Sequence, residues 1–270
     1  PVAADRAAGV AVYASIDGER MRSERITHHK MDAAVEFLAA LNALRDHPDG
    51  HRLPAASEAC FSVAAIGDTI EARLRRLATT DVEGPLRAAL EGFLRRQVGP
   101  AFQRLMRWAA APARQTGRSV TEELPQADRT LSPSDFGFHN ALREPDGRIV
   151  FVDFEHFGWD DPAKMIVDFL LHPAMALSEG LKRYFVQRLL ECFKDHAALG
   201  ARIRQVYPLF GVKWCLILLN EFVPQDRLRR DFAQPTRRAP HALQAEQLAK
   251  ARRMLQQVLQ TYERFPYADH

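Results

Sequence analysis

The sequence predicts an α+β fold, predominantly helical, with one polar hairpin set into it. Three observations predict this. Apolar residues recur at helical spacing over most of the 270 residues. Ala141 to Arg143 and Ile149 to Val152 read instead as short strands, joined by the turn signal Glu144-Pro145-Asp146-Gly147. The start of the chain shows two more short strands, Pro1-Val2-Ala3-Ala4 and Val10 to Ile16, the second closed by Asp17-Gly18-Glu19.

The helices follow in order. Thr27 can cap one that carries Met31, Ala34, Val35, Leu38 and Leu41 on a single face. Asp46 to Pro54 is rich in Pro, Gly and Asp and reads as a loop. Ile66, Ile70, Leu74 and Leu77 mark a second helix, and Leu86, Leu90, Phe93, Leu94 and Val98 a third. The third should end near Gly99-Pro100, where the ring removes a donor. Phe102, Leu105 and Met106 belong to a further helix. Residues 111 to 130 are polar and broken by Pro112, Gly117 and Pro125, which predicts a loop. Ser178 opens a helix with Leu181, Phe185, Leu189 and Phe193. Another runs from Ile203 to Phe222 with an interruption expected at Pro208. The last, Ala242 to Phe265, places Leu248, Leu255, Val258, Leu259 and Tyr262 together. Such stripes are core rather than cofactor boxes.

Composition sets bounds. Hydrophobic residues at 47% and charged residues at 26% are ordinary for a soluble globular chain. The length suits one large domain, or one with a small remnant beside it. A formal charge of +3 is too small to argue for a nucleic-acid partner. No apolar run reaches the length of a membrane span. The greasiest stretch, Trp214 to Leu219, ends at Asn220-Glu221 and reads as a buried helix. Cys60, Cys192 and Cys215 are odd in number and far apart. Cys192 and Cys215 lie in apolar helical patterns, which predicts buried free thiols and a reducing, cytoplasmic setting. Zinc motifs are absent, and Pro48-Asp49-Gly50 between His47 and His51 breaks the helix that a metal pair would need. Arg227, Arg229, Arg230, Arg237 and Arg238 cluster against Asp226 and Asp231. Most such clusters are solvated faces; a functional one would suit an acidic or phosphorylated small molecule.

The chemistry concentrates at the hairpin. Asp135 and Asn140 lie five apart in Leu131 to Asn140, and Asp153 ends the apolar run Ile149-Val150-Phe151-Val152. The turn returns the chain to its starting point, so Asp153 should approach Asn140. An Asn and an Asp converging there offer oxygen ligands to Mg²⁺, which favours carboxylates and phosphate oxygens. Asp135 is then free to orient or deprotonate a hydroxyl. The bland alternative is a surface hairpin flanked by solvated carboxylates.

At these residues the chain resembles the aminoglycoside phosphotransferase and choline kinase-like family. That family's loop reads His-Gly-Asp-Leu-His-x-x-Asn, and its metal strand Ile-Asp-Phe or Ile-Asp-Trp before Glu. The resemblance implies a protein-kinase-like fold in which residues 21–270 form the helical C-lobe. The catalytic loop would be residues 131–140 and the metal strand residues 149–155. Residues 1–20 would be a remnant of the small lobe and hinge. It further implies Asp135 as the catalytic aspartate, with Asn140 and Asp153 holding Mg²⁺ and ATP. Asp168, after Asp161-Pro162, would brace the catalytic loop. In its apolar setting Asp168 should be satisfied by backbone N–H groups around Asp135, since an unpaired buried charge is costly. The chain departs from the pattern at Pro133-Ser134, where the family has His-Gly, and at Gly137, where a second His is common.

A kinase-like site also needs a glycine-rich phosphate cover and a strand lysine paired with a helix glutamate. The sequence contains no Gly-x-Gly, and its first lysine, Lys30, lies in a helical pattern. The expectation is a chain that begins within the small lobe, as a fragment in preference to a natural loss. Two functions compete. One is an ATP-dependent phosphotransferase acting on a hydroxyl of a small metabolite; the other is a non-catalytic kinase-like nucleotide-binding or scaffold protein. A hydrolase is disfavoured, because Gly-x-Ser-x-Gly is absent.

Overall fold

The computed structural model describes all residues except 1, 6, 22–25, 81, 176, 225, 227–238 and 268–270. The five arginines expected to form a cluster, Arg227 to Arg238, therefore lie outside the described residues. The predominantly helical α+β fold is present. Its helices are α1 (His28–Ala43), α2 (Val63–Ala78), α3 (Gly84–Phe93), α4 (Gly99–Ala109), α5 (Ala111–Gln115), α6 (Pro162–Leu171), α7 (Glu179–Cys192), α8 (Leu199–Leu218) and α9 (Pro240–Thr261). Its strands are β1 (Ala3–Asp5), β2 (Val10–Val12), β3 (Glu19–Arg20), β4 (Thr130–Ser132), β5 (Ala141–Arg143), β6 (Ile149–Phe151) and β7 (Gly158–Asp160).

Helix α8 is the central pillar. It is buried almost all round from Val206 to Leu216, and α2, α4, α6 and α9 pack against it. A helix apolar on every side has to be buried, so the Trp214 to Leu219 run takes this place. On α1, Met31, Ala34, Val35, Leu38 and Leu41 face inward as their spacing predicts. Thr27 takes the N-cap position without a side-chain bond. Ser178 does cap α7, its hydroxyl accepting from Leu181 N–H at 3.3 Å.

Two prolines behave differently from expectation. The third helix does not end at Gly99-Pro100. It passes through a π turn, Leu94–Val98, directly into α4. A wider turn spares the contact between a proline ring and the carbonyl four residues earlier, so the helix continues. Likewise α8 runs unbroken past Pro208, which is buried inside it. Residues 111–130 are not wholly loop, since Pro112 sits in the first turn of α5, where a missing donor costs nothing. Cys192 is exposed, against the expectation of burial; it is the last residue of α7 and faces away from the core.

Strands β3, β5 and β6 form one antiparallel sheet, with Ala141 opposite Phe151 and Arg143 opposite Ile149. The β5–β6 turn closes where expected: Gly147 adopts φ +91°, and Gly147 N–H donates to Glu144 O at 2.9 Å. Strand β3 pairs with β5. Strands β4 and β7 form a second pair that the sequence did not reveal. Gly158 explains its position. A Cβ there would lie 2.4 Å from Pro54 O, so only glycine lets the 54–57 segment lie against β7. Trp159 fixes that approach, its N–H donating to Pro54 O at 2.9 Å and its carbonyl accepting from Ala56 N–H at 2.8 Å.

Candidate active site

The loop between β4 and β5 carries the site. Phe136 and Phe138 are buried and pack on Phe151 and Phe169, which anchors the loop from below. Asp135 and His139 flank this buried run, Asp135 half exposed and His139 only partly so. Ser134, in the place of the family's glycine, adopts φ +69°. That left-handed conformation costs a non-glycine residue about 1 kcal/mol. Two bonds hold it: Ser134 Oγ donates to Ser57 O at 2.7 Å, and Ser134 N–H donates to Ser132 Oγ at 3.0 Å. The serine thus reproduces the backbone bend that glycine would give.

Asn140 is half-buried and turned toward Asp135. Its Nδ2 donates to Asp135 O at 3.0 Å and lies 3.4 Å from Asp135 Oδ2. That leaves Asn140 Oδ1 as an oxygen donor. Across the hairpin, Val152 N–H donates to Asn140 O at 2.9 Å, so Asp153 follows directly at the hairpin base. Asp153 is exposed, has φ +70°, and makes no hydrogen bond or ion pair with the described residues. Strained backbone at a polar, unpartnered carboxylate is a feature found at functional positions.

Two histidines that sequence reasoning missed complete the cluster. His139 Nε2 lies 3.1 Å from Asp135 Oδ1, and His172 Nε2 lies 3.8 Å from the same oxygen. The two imidazoles stack at 3.9 Å with planes 4° apart. Ala174 N–H donates to His172 Nδ1 at 3.2 Å, which places the His172 proton on Nε2, facing Asp135. Burial, with His139 beside it, pushes the His172 pKa down to about 4, against the pull of Asp135 and Asp168. Burial pushes the Asp135 carboxyl up, but the His139 bond and charge, then His172 and Asn140, outweigh it and hold the pKa low. Asp135 is thus a carboxylate with one oxygen held by histidine and the other directed toward Asn140 and solvent. Asp135, His139 and His172 are close enough to suggest a metal set. Stacked rings argue against one, because their lone pairs lie in parallel planes that cannot both contain one ion.

Asp168 is largely buried and paired, but its partners are not the ones expected. Only 12% exposed, it accepts from Trp214 Nε1 at 2.8 Å and pairs with Lys164 at 3.4 Å, not with loop amides. It lies a full turn into α6, facing α8, so α8 supplies the donor. Trp214 then packs edge-on against His172 at 4.6 Å. The route to the loop runs Asp168, Trp214, His172, His139, Asp135. Lys164, fully buried, also pairs with Asp160 at 2.7 Å. Burial works against its ammonium, but the Asp160 and Asp168 carboxylates prevail and raise its pKa. One signal for this chain was legible: Lys164, Asp168 and His172 are four apart and share a helix face. Nearby, Lys213 pairs with Glu58 at 3.0 Å, and Glu58 adopts φ +57°.

No family model and no curated protein matches this sequence. Solved structures do. The Plasmodium vivax ethanolamine kinase superposes with TM-score 0.54 at 12% identity, over 90% of this chain and 65% of its own. Spectinomycin phosphotransferase APH(9)-Ia, solved with ADP and spectinomycin, gives TM-score 0.51 at 9% identity, over 93% of this chain and 70% of its own. The fold is that of the kinase-like small-molecule phosphotransferases. A choline/ethanolamine kinase family protein from Mesorhizobium loti is a further similar structure, with TM-score 0.49 and 16% identity, over 91% of this chain and 71% of its own. The kinase-like fold accounts for the helical body and the hairpin inserted in it. No described helix is long and apolar enough to cross a membrane.

Proposed function

We propose that this chain carries the acceptor and metal half of an ATP-dependent phosphotransferase that acts on a hydroxyl of a small metabolite. One observation supports this most: a half-exposed Asp135 carboxylate, with one oxygen held by histidine, stands beside Asn140 and the hairpin base that presents Asp153. Asn140 Oδ1 and the Asp153 carboxylate form a hard oxygen set of the kind that suits Mg²⁺ with nucleotide phosphates. Bound there, the ion would neutralise phosphate charge, the main demand of phosphoryl transfer.

The chain's own residues do the rest. Asp135 accepts a hydrogen bond from the acceptor hydroxyl and aligns it. As the new O–P bond forms, the bridging O–P bond breaks and its electron pair leaves with the nucleotide. The hydroxyl proton passes to Asp135 late, consistent with a carboxylate whose pKa is held low. His139 and His172 position Asp135, in place of the family's histidine at Pro133. Alignment of this kind can supply much of the rate.

A second reading, a nucleotide-binding protein without transfer, is favoured by one observation. None of the seven described strands carries a lysine, and the buried Lys164 and Lys213 are committed to carboxylates. The two readings separate by titration with Mg-ATP and a screen of hydroxylated acceptors. Transfer that Asp135→Asn abolishes while nucleotide affinity survives supports the enzyme. Asp153→Ala should instead weaken Mg-ATP binding itself. Nucleotide binding with no transfer to any acceptor supports the second reading, and no binding at all defeats both.

A further inference from the structure

One large groove shares no residue with the Asp135 cluster. It has a volume of about 790 Å³ and lies between α4, with the π turn before it, and the C-terminal half of α9. Arg96, Arg104 and Arg107 line one wall and Arg252 the other, with Ala101, Leu255 and Leu259 among the apolar lining. Gln97, Gln256 and Gln260 complete it, and no carboxylate does. The volume falls in the usual range for small-molecule pockets.

The four arginines share one groove without a carboxylate in its lining. Many other arginines meet carboxylates: Arg73 with Glu58, Arg76 with Asp226, Arg118 with Glu122, Arg129 with Glu123 and Arg202 with Asp161. Arg96, Arg104, Arg107 and Arg252 make no ion pair with any described residue. Two are nonetheless held in place. Arg252 donates to Ala89 O at 3.3 Å and lies over the Phe93 ring, and Arg104 lies over the Tyr262 ring. Ordering like charges around one groove without counter-charges is unfavourable unless an anion is meant to enter. The π turn Leu94–Val98, which carries Arg96 and Gln97, forms part of the wall, and such turns are frequent at functional sites.

We infer that this groove is a binding site for a small, multiply phosphorylated metabolite, separate from the proposed phosphotransfer site. Guanidinium forks match phosphate oxygens, which favours phosphate over a lone carboxylate. Beside the groove Arg87 is neutralised by Glu91 and Lys250 by Glu246, while Arg95 and Arg253 are exposed. The concave lining and its volume, more than the charge alone, favour a small ligand over a nucleic-acid track.

The test uses inorganic tripolyphosphate as the probe, titrated calorimetrically into the whole chain with EDTA present, so that metal-dependent binding at Asp153 is silent. The expected result is saturable, one-to-one binding. Arg104→Gln with Arg252→Gln should weaken it at least about tenfold. Arg87→Gln with Lys250→Gln, outside the groove, and Asp153→Ala should each change it less than about twofold. If the first pair fails to fold by circular dichroism, Arg96→Gln with Arg107→Gln serves in its place. Absence of binding at millimolar probe overturns the inference, as does equal loss in the variants outside the groove. Affinity for single-stranded oligonucleotides that rises with their length and exceeds that for tripolyphosphate also overturns it. It would show a polyanion surface instead.

Discussion

Lowering the pH should destabilise this protein through His172 in a defined window. Its side chain is 15% exposed, packed between His139 and Trp214, and its pKa falls from 6.5 to about 4 on folding. In that interval the unfolded chain binds a proton that the native ring refuses. Stability therefore rises with pH across the interval and is lost as pH falls through 6.5 toward 4. From 6.5 to about 4, at about 1.4 kcal/mol per pH unit, the whole interval contributes about 3.5 kcal/mol. Asp135, also held low, acts in a different window: its stabilisation is present above the ordinary carboxylate pKa and is lost only as pH falls through its lowered folded value. His196 is lowered as well, by burial and then by Arg45, but it lies against Asn42 and Arg45 and is common to all variants. The measurement is urea unfolding of the wild type and His172→Gln at several pH values between about 7.5 and about 4.5. The wild type should lose about 3 kcal/mol more than the variant over that range. The variant itself should start lower near neutrality, by about 1 kcal/mol for the lost ring contacts. Parallel pH profiles would refute the reasoning, because they would show that His172 titrates alike in both states.

Lys164→Met should cost about 3–5 kcal/mol in the same unfolding assay, because it leaves Asp160 buried without its partner. Gly147→Ala and Gly158→Ala should differ in kind. The first meets no atom within 4 Å and only strains a φ of +91°, a loss of about 1–2 kcal/mol in thermal denaturation. The second drives a methyl into Pro54 O, parts β7 from the 54–57 segment, and should cost more than the first. A maleimide pulse on the native protein should label Cys192 alone. Cys60 and Cys215 are buried, and burial raises both thiol pKa values, so they should react only on unfolding.

The sequence by itself determined the helical body, the hairpin and the polar residues at the hairpin's base. These are local properties. Apolar spacing selects the faces of α1, α2, α7 and α9, and Pro145-Asp146-Gly147 selects the turn, whatever lies elsewhere. The relation of Asp135 to Asn140 is local too, since six residues of one loop contain it. Tertiary structure decided the partners. His172 reaches Asp135 only because α6 ends against the loop that carries Asp135, and Asp168 finds Trp214 only because α8 packs on α6. No spacing records a contact between residues so far apart in the chain. Proline shows the same division. Pro100 and Pro208 carry a local instruction to stop, but the burial gained by an unbroken α4 and α8 outweighs it. Strands β4 and β7 are three residues each, too short to show an alternation, and exist because Gly158 lets a neighbouring segment lie within bonding distance. Local chemistry thus wrote the elements and the candidate catalytic residues, and long-range packing assigned each of them its neighbours.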